Sequence, residues 1–246
     1  MEADVTDTRG DLRSGLRSDL RASGAALAPA RRWPVSRPLL WAEFALLYLA
    51  LPVLIAVRLP PQQMFAALFA VTVLGLGLLW RTPGFSLREL TRGIEEVRLL
   101  PLALLALVTF AASWVILDQT RPGALFALPR ERPLMLAVIV MLYPVLSALP
   151  QELLFRPLFF RRYGTLLPRR PLALVLNAAL FSLAHLMYWH WIVAAMTFVG
   201  GLIFAWAYEV RRSFPLALAL HSVAGCVLFA VGMGVYFYSG NVVRPF

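Results

Sequence analysis

Long apolar runs separated by short polar segments dominate the chain after its first 32 residues. Each run reaches or approaches the roughly 20 residues that an α-helix needs to cross a bilayer. Apolar stretches of this length predict an all-α protein, a polytopic transmembrane helix bundle with seven or eight spans. The runs lie at about 38–57, 64–80, 99–117, 133–160, 171–188, 192–209 and 215–238.

The segment between the second and third runs has a different pattern. In "LRELTRGIEEVRLL", apolar residues recur every three or four positions, and charged residues occupy positions between them. This spacing predicts an amphipathic helix near residues 85–98 that lies in the membrane interface. Its apolar face would carry Leu87, Leu90, Ile94 and Val97.

Composition supports a membrane protein and excludes a soluble one. Hydrophobic residues make up 60% of the 246 residues and charged residues 15%, and the mean hydropathy is +0.73. A soluble domain of this length could not cover so much apolar surface. Cys226 is the only cysteine and lies in an apolar run, so an intramolecular disulfide is excluded.

The first 32 residues mix charged residues with alanine, glycine and serine, and they have too little apolar surface to fold alone. They also lack the apolar core and cleavage site of a signal peptide. We therefore divide the chain into a disordered cytoplasmic tail at 1–32, N-terminal transmembrane helices at 33–132 and a C-terminal helical core at 133–238.

The basic residues predict the orientation of the protein. The formal net charge is +10, and the chain contains arginine but no lysine. These arginines lie in short clusters between apolar runs. This position indicates that they orient the protein in a membrane and that they do not bind nucleic acid. Thirteen arginines near the spans share a side with the N-terminus and five lie opposite, so we expect an integral protein of the bacterial inner membrane with a cytoplasmic N-terminus. The thirteen are Arg31, Arg32, Arg37, Arg81, Arg88, Arg92, Arg98, Arg161, Arg162, Arg169, Arg170, Arg211 and Arg212, and the five are Arg58, Arg121, Arg130, Arg132 and Arg244.

Three of the predicted spans contain polar residues at membrane depth. Ionisable residues there cost roughly 2.5 to 3.5 kcal/mol on insertion scales, so their presence indicates a function. With a rise of about 1.5 Å per residue, Glu152 lies roughly 15 Å from the inner boundary, His185 roughly 22 Å and His221 roughly 12 Å. We expect these three side chains to converge on one cavity. The full set is Gln151, Glu152 and Arg156 on the fourth span, Asn177 and His185 on the fifth, and His221 on the seventh.

Each of these residues also has a simpler explanation. Glu152 and Arg156 are four positions apart and can neutralise each other on one helix face. A lone histidine in a span often forms a hydrogen bond between helices, and we assign Asn177 to the same class. His190 lies between two tryptophans, and we interpret it as an interfacial residue and not as a ligand.

Two prolines, Pro150 and Pro157, flank Glu152 on the fourth span. A proline lacks an amide hydrogen, so it leaves the carbonyl four residues earlier without its helical partner. The helix around Glu152 is therefore predicted to be irregular. Membrane helices tolerate such irregularity beside a cavity or a neighbouring helix.

The order of these residues resembles the CPBP intramembrane endopeptidases, a family that includes the type II CAAX prenyl proteases and the abortive-infection or bacteriocin-immunity membrane proteins. The family pattern is Glu-Glu-x-x-x-Arg, Phe-x-x-x-His and His-x-x-x-Asn, each on its own helix. The resemblance covers roughly residues 133–230, and Gln151 replaces the first glutamate while Gly225 replaces the asparagine. The matching segments are "QELLFR" with Gln151, Glu152 and Arg156, "FSLAH" with Phe181 and His185, and "HSVAG" with His221 and Gly225.

The resemblance implies hydrolysis of peptide bonds inside the membrane, in a membrane-associated or prenylated, CAAX-type substrate. Glu152 would be the general base, paired with Arg156, and Gln151 would orient the water. His185 would share the proton transfer, and His221 would donate to the developing oxyanion. This mechanism requires no cofactor. An alternative is a Zn²⁺ site formed by Glu152, His185 and His221, although the chain has no His-Glu-x-x-His pair to favour it.

Two further classes of protein remain open. A catalytically inactive scaffold or immunity protein of the same fold would keep the helices while losing the first glutamate and the asparagine. A transporter also holds charges at membrane depth, but it usually has two similar halves, and here the polar groups are confined to the C-terminal half. We rank the endopeptidase first, the scaffold second and the transporter third. The expected partners are the lipid bilayer and a peptide or membrane-protein substrate.

Overall fold

Seven helices of membrane-spanning length follow one another in the computed structural model, which describes residues 35–245. We number these helices α1 to α7. Each is long and apolar enough to cross a bilayer. Their bounds are Arg37–Arg58 for α1, Pro61–Trp80 for α2, Leu99–Thr120 for α3, Pro133–Arg162 for α4, Arg170–Tyr188 for α5, Trp191–Glu209 for α6 and Phe214–Val231 for α7.

The prediction of an all-α, polytopic transmembrane bundle is confirmed. Within residues 35–245 the number of spans is seven, and no eighth helix of that length is present. The predicted tail at 1–32 lies outside the described residues. The division of the chain at residue 133 stays a prediction.

The last span is shorter than the apolar run that predicts it. The run reaches residue 238, but α7 ends at Val231 because Gly232 adopts a φ of +118°. A side chain at this position would overlap the carbonyl oxygen of Ala124, so the close approach requires glycine. The chain then continues in a short helix, Gly234–Phe237.

The interfacial segment does not form the one helix predicted near 85–98. It contains two 3₁₀ turns, Leu87–Leu90 and Ile94–Glu96, interrupted at Gly93 by a φ of +77°. Ser213, which caps the start of α7, donates a 2.6 Å hydrogen bond to the Gly93 carbonyl. A Cβ on Gly93 would lie 2.7 Å from the Ser213 Cβ. Close packing against α7 therefore determines this backbone, and the amphipathic period does not.

The helices that carry the polar residues lie next to one another. α6 packs against both α5 and α7, and α7 also packs against α4 and α3. On α6, a Cβ at Gly201 would lie 3.0 Å from the Ala178 Cα of α5, so this glycine permits the close contact of the two helices. α2 packs against the second half of α4.

α4 is irregular on both sides of Glu152, as its prolines predict. π-helical segments at Pro144–Ala148 and Leu154–Arg162 enclose one short α-helical segment, Leu149–Leu153. The Tyr48 hydroxyl of α1 donates a 2.6 Å hydrogen bond to the Leu154 carbonyl. π-helical turns are rare in proteins overall, but those that occur are often found at functional sites. The wider turn changes where the following side chains point.

One end of the bundle is held by a buried arginine. The Arg162 guanidinium donates to the Glu43 carboxylate, with Nε at 2.8 Å, and to the Leu78 carbonyl at 3.2 Å. These bonds join α4 to α1 and α2. An aromatic cluster lies beside them, with ring centroids 5.2 to 5.8 Å apart. Its members are Phe44, Tyr48, Phe159 and Tyr163.

Candidate active site

A cavity of about 470 Å³ lies between the helices and reaches the polar residues of α4, α5 and α7. Side chains of α1, α2, α3 and α6 complete its wall and are mostly apolar. Among residues 35–245, no carboxylate or guanidinium group lines this cavity. The polar lining residues on α4, α5 and α7 are Tyr143, Ser147, Gln151, His185, Tyr188 and His221.

Glu152 lies behind the cavity wall and is completely buried. Its Oε2 accepts a 2.8 Å hydrogen bond from Arg156 Nε, and its Oε1 accepts a 2.9 Å hydrogen bond from His221 Nδ1. A buried carboxylate requires such partners, because leaving it unpaired away from water is very costly. The ion pair between Glu152 and Arg156, which their spacing of four residues on α4 allows, is therefore present in the structure.

Arg156 is also completely buried, and it extends the hydrogen bonds of this pair to α5. Its Nη1 donates to Asn177 Oδ1, and Asn177 Nδ2 donates a 2.8 Å hydrogen bond to the Phe155 carbonyl. The guanidinium carbon lies 5.4 Å from the centre of the Phe181 ring, within the range of a cation–π contact. Asn177 thus forms the bond between helices that its position predicts.

His221 connects Glu152 to the cavity. Because an ionised carboxylate only accepts, Nδ1 carries the proton in the bond to Glu152. Nε2 lies 3.2 Å from the hydroxyl of Tyr143. The imidazole ring also stacks on Phe204, with 4.8 Å between ring centres and 10° between planes. Both nitrogens of His221 therefore have partners, and the ring is fixed in orientation.

His185 follows the regular part of α5 and lines the cavity. Its Nδ1 lies 2.8 Å from the Phe181 carbonyl. A carbonyl oxygen accepts only, so Nδ1 carries the proton and the neutral ring keeps its lone pair on Nε2. The ring packs 4.8 Å from Phe181, which also contacts His221 at 5.6 Å. The two histidines therefore contact the same aromatic ring and line the same cavity.

Gln151, the neighbour of Glu152, lines the cavity, and Glu152 does not. Its Nε2 donates a 3.0 Å hydrogen bond to Ser147 Oγ. Its Oε1 is buried and has no hydrogen-bond partner among the described residues. Adjacent helical residues point about 100° apart, and this rotation separates the neutral amide at the cavity from the carboxylate behind it.

The structure thus brings the predicted site residues together in two groups. His185, His221 and Gln151 line the cavity, whereas Glu152 and Arg156 form a buried pair that reaches the cavity through His221. The geometry favours an orienting role for Glu152 over the predicted role of general base, because its oxygens already accept from Arg156 and His221.

Tyr143 is a cavity residue that the sequence analysis did not include. It lies four positions before Ser147 and eight before Gln151, and all three line the cavity. A repeat of four residues on one helix face is the signal that could have identified it. Gly225 on α7 lies directly against it, and a Cβ there would overlap the Tyr143 ring.

His190 lies outside the cavity, as its interpretation as an interfacial residue requires. Its Nδ1 accepts a 3.2 Å hydrogen bond from the Ile192 amide and caps the start of α6. Partial burial and the nearby charge of Arg121 lower the pKa of this imidazole. The residue is a structural cap in this position.

The residues present do not fit the alternative zinc site. Within the described part of the chain, no three histidine, cysteine, aspartate or glutamate residues are arranged to hold a metal ion. A zinc ion at Glu152 would compete with the Arg156 guanidinium for the same carboxylate, and the two positive charges would repel each other.

The fold and the cavity define the class of this protein. It is an integral membrane protein, and residues 35–245 form a seven-span helical bundle in which two histidines line an otherwise largely apolar cavity. Residues 133–237 match the family model described as type II CAAX prenyl endopeptidase Rce1-like. This segment, which contains α4 to α7, is similar to the CPBP and CAAX protease family, so the resemblance seen in the sequence is confirmed at the level of the family. Neither the curated proteins nor the solved structures compared with the chain gave a match.

Proposed function

We propose that this protein is an intramembrane endopeptidase that cleaves a membrane-associated substrate with a prenylated, CAAX-type end. The family of residues 133–237 supports the reaction class. The observation that carries the proposal is the orientation of His185, whose Nδ1 bond to the Phe181 carbonyl leaves Nε2 as a free acceptor at the cavity. A general base must present such an acceptor where a water molecule and a substrate can meet.

In the proposed reaction His185 is the base, in place of the predicted Glu152. A water molecule donates one hydrogen to His185 Nε2 and the other to Gln151 Oε1, which has no hydrogen-bond partner among residues 35–245. The water oxygen bonds to the scissile carbonyl carbon as its proton passes to His185, and the carbonyl oxygen becomes an oxyanion. When the carbon–nitrogen bond breaks, His185 returns the proton to the leaving amine.

Glu152 and Arg156 support this reaction without contacting the substrate. Glu152 holds the Nδ1 proton of His221, and Arg156 balances the charge of Glu152. Both side chains are completely buried, so their bonds fix the ring of His221 in one orientation and one tautomer. Such support from outside the reacting groups is a common way to hold a catalytic side chain in place.

The cavity fits the proposed class of substrate. Its volume of about 470 Å³ is within the range of about 300 to 1,000 Å³ of ligand sites. Most of its lining from α1, α2 and α3 is apolar, including Leu51, Ile55 and Phe65. An isoprenyl chain would bury its surface against these residues, since apolar burial is the main source of such affinity. The peptide would then lie towards the histidines.

The test is cleavage of a farnesylated CAAX-type peptide by the purified protein in lipid nanodiscs, with the unprenylated peptide in parallel. We expect cleavage of the farnesylated peptide, and a loss of about 10² to 10⁴-fold in kcat for His185→Gln. The matched control is His190→Asn, which changes a histidine outside the cavity and keeps a capping side chain. Full activity of His185→Gln would contradict the proposed base.

A second candidate function is binding of the same substrate without hydrolysis, as a scaffold or immunity protein. One observation favours it: among the described residues, the cavity is lined by the Gln151 amide and by no carboxylate. The discriminating result is saturable binding of the farnesylated peptide by a wild-type protein that releases no product. Cleavage by the wild-type protein would exclude this candidate.

A further inference from the structure

Tyr143 lies in the wall of the cavity beside His221, and the reaction proposed above gives it no role. Its hydroxyl is 3.2 Å from His221 Nε2, and its ring lines the cavity. The residue ends the first regular part of α4, immediately before the π-helical segment Pro144–Ala148. Its ring also contacts Phe229 of α7, with 5.9 Å between ring centres. The hydroxyl is therefore held between two helices at the cavity wall.

The Tyr143 ring occupies space that a side chain at position 225 would fill, so Gly225 permits this position of the tyrosine. It lies one turn after His221 on α7 and is buried. A Cβ on Gly225 would overlap the ring and the hydroxyl of Tyr143. Glycine inside a helix is destabilising relative to alanine, so its presence at this contact needs a compensating reason. The close approach of the Tyr143 hydroxyl to His221 is such a reason.

The hydroxyl completes a chain of hydrogen bonds that begins at Glu152. His221 Nδ1 donates to Glu152, and Arg156 already balances the charge of that carboxylate. A neutral His221 leaves the buried group without net charge, which a low-dielectric interior favours. Nε2 of a neutral His221 is an acceptor, so the resting Tyr143 hydroxyl donates to it. Rotation about the bond between the ring carbon and the oxygen then turns this hydrogen from His221 towards the cavity.

We propose that Tyr143 is the oxyanion donor of the reaction, a role that rests on the proposed function. When the water oxygen bonds to the scissile carbonyl carbon, the electron pair of the carbonyl moves to its oxygen. The Tyr143 hydroxyl turns to that oxygen and stabilises it by a hydrogen bond, without losing its proton. His185 holds the water proton until the leaving amine takes it. His221 positions Tyr143. The hydrogen bond to the oxyanion, which the sequence analysis assigned to His221, is donated by Tyr143 in this proposal.

The first test is Tyr143→Phe, which keeps the ring beside Gly225 and removes only the hydroxyl. Loss of one oxyanion donor lowers kcat by about 10² to 10³-fold, and we expect that loss with KM changed less than about twofold. The matched control is Tyr236→Phe, because its hydroxyl bonds Thr120 outside the cavity. Thermal unfolding and binding of a non-cleavable farnesylated peptide verify that both variants are folded. A purely structural role would instead raise KM or lower the unfolding temperature.

The second test uses Gly225→Ala, alone and combined with Tyr143→Ala. The new Cβ displaces the tyrosine ring, so Gly225→Ala alone should lose as much kcat as Tyr143→Phe. The double variant removes the clash, and it should regain unfolding temperature without regaining kcat. Recovery of kcat in the double variant would overturn the proposal.

The outcomes separate this proposal from the function on which it rests. Wild-type cleavage with an unchanged kcat in Tyr143→Phe would overturn the role of Tyr143 and leave the peptidase intact. Absence of any cleavage by the wild-type protein would overturn both, because no oxyanion would then form.

Discussion

Glu152 and His221, 69 positions apart in the chain, form a buried 2.9 Å hydrogen bond between α4 and α7. Arg156 holds the other carboxylate oxygen at 2.8 Å. The Glu152 carboxylate therefore accepts one hydrogen bond from its own helix, from Arg156, and one from α7, from His221. It also leaves Nε2 of His221 for the Tyr143 hydroxyl at 3.2 Å, which connects the ion pair to the wall of the cavity.

Removal of the Glu152 charge should destabilise the protein as well as inactivate it. Glu152→Gln leaves the Arg156 guanidinium buried without a counter-charge, and breaking a buried ion pair costs about 3 to 5 kcal/mol. We expect a lower unfolding temperature in detergent or nanodiscs and a loss of peptide cleavage.

The matched variant is the double substitution Glu152→Gln with Arg156→Met, which removes both charges. It should recover part of the unfolding temperature but no activity, because the Nδ1 proton of His221 still lacks the carboxylate. A Glu152→Gln protein as stable as the wild type would show that the ion pair contributes little. Loss of activity without loss of stability would return Glu152 to the role of base.

Substitution of Gln151 should separate the two candidate functions. If Gln151 orients the water, Gln151→Ala should lower kcat by up to about 10²-fold, the scale of a misplaced reactant. Gln151→Glu should not raise kcat, since a second carboxylate next to Glu152 in a low-dielectric site is costly. Measurement of kcat for both variants tests this. Activity that is absent in the wild type and present only in Gln151→Glu would support the non-hydrolytic candidate.

Chelators should leave the reaction unchanged. The described residues offer no set of three ligands for a metal ion, and the Glu152 carboxylate is occupied by Arg156. We expect the same cleavage rate after dialysis against excess EDTA and no increase when Zn²⁺ is returned. A rate that falls with EDTA and recovers with Zn²⁺ would contradict the metal-free proposal.

The orientation predicted from the arginines places Gly164 in the cytoplasm and Gly123 on the opposite face. Both glycines are exposed, and a side chain at either would have open space around it. In a Cys226→Ala background, a membrane-impermeant thiol reagent should label Gly123→Cys in intact cells and Gly164→Cys only after lysis. The reverse pattern would invert the topology and move the N-terminus to the outer face.

The class of fold follows from the amino-acid sequence alone, because the length and hydropathy of an apolar run are local properties. In the part of the chain that the structure describes, the seven apolar runs form seven helices of membrane-spanning length, although Gly232 ends α7 before the last run ends. The motifs also identified the helices that meet, since α4, α5 and α7 carry the groups that hydrocarbon does not tolerate alone. The irregular path of α4 followed from its prolines, which cannot donate a helical hydrogen bond.

Packing between the helices determines which of these groups face the cavity. Gln151 and Glu152 are adjacent, and a rotation of about 100° separates them, so the packing of α4 against α7 determines that the amide lines the cavity while the carboxylate meets Arg156. Tyr143 enters the site because Gly225, 82 positions later, leaves room for its ring. The interfacial segment lost its predicted helix for a similar reason, since Gly93 packs against Ser213. These outcomes depend on contacts between residues far apart in the chain, and no local pattern encodes such contacts.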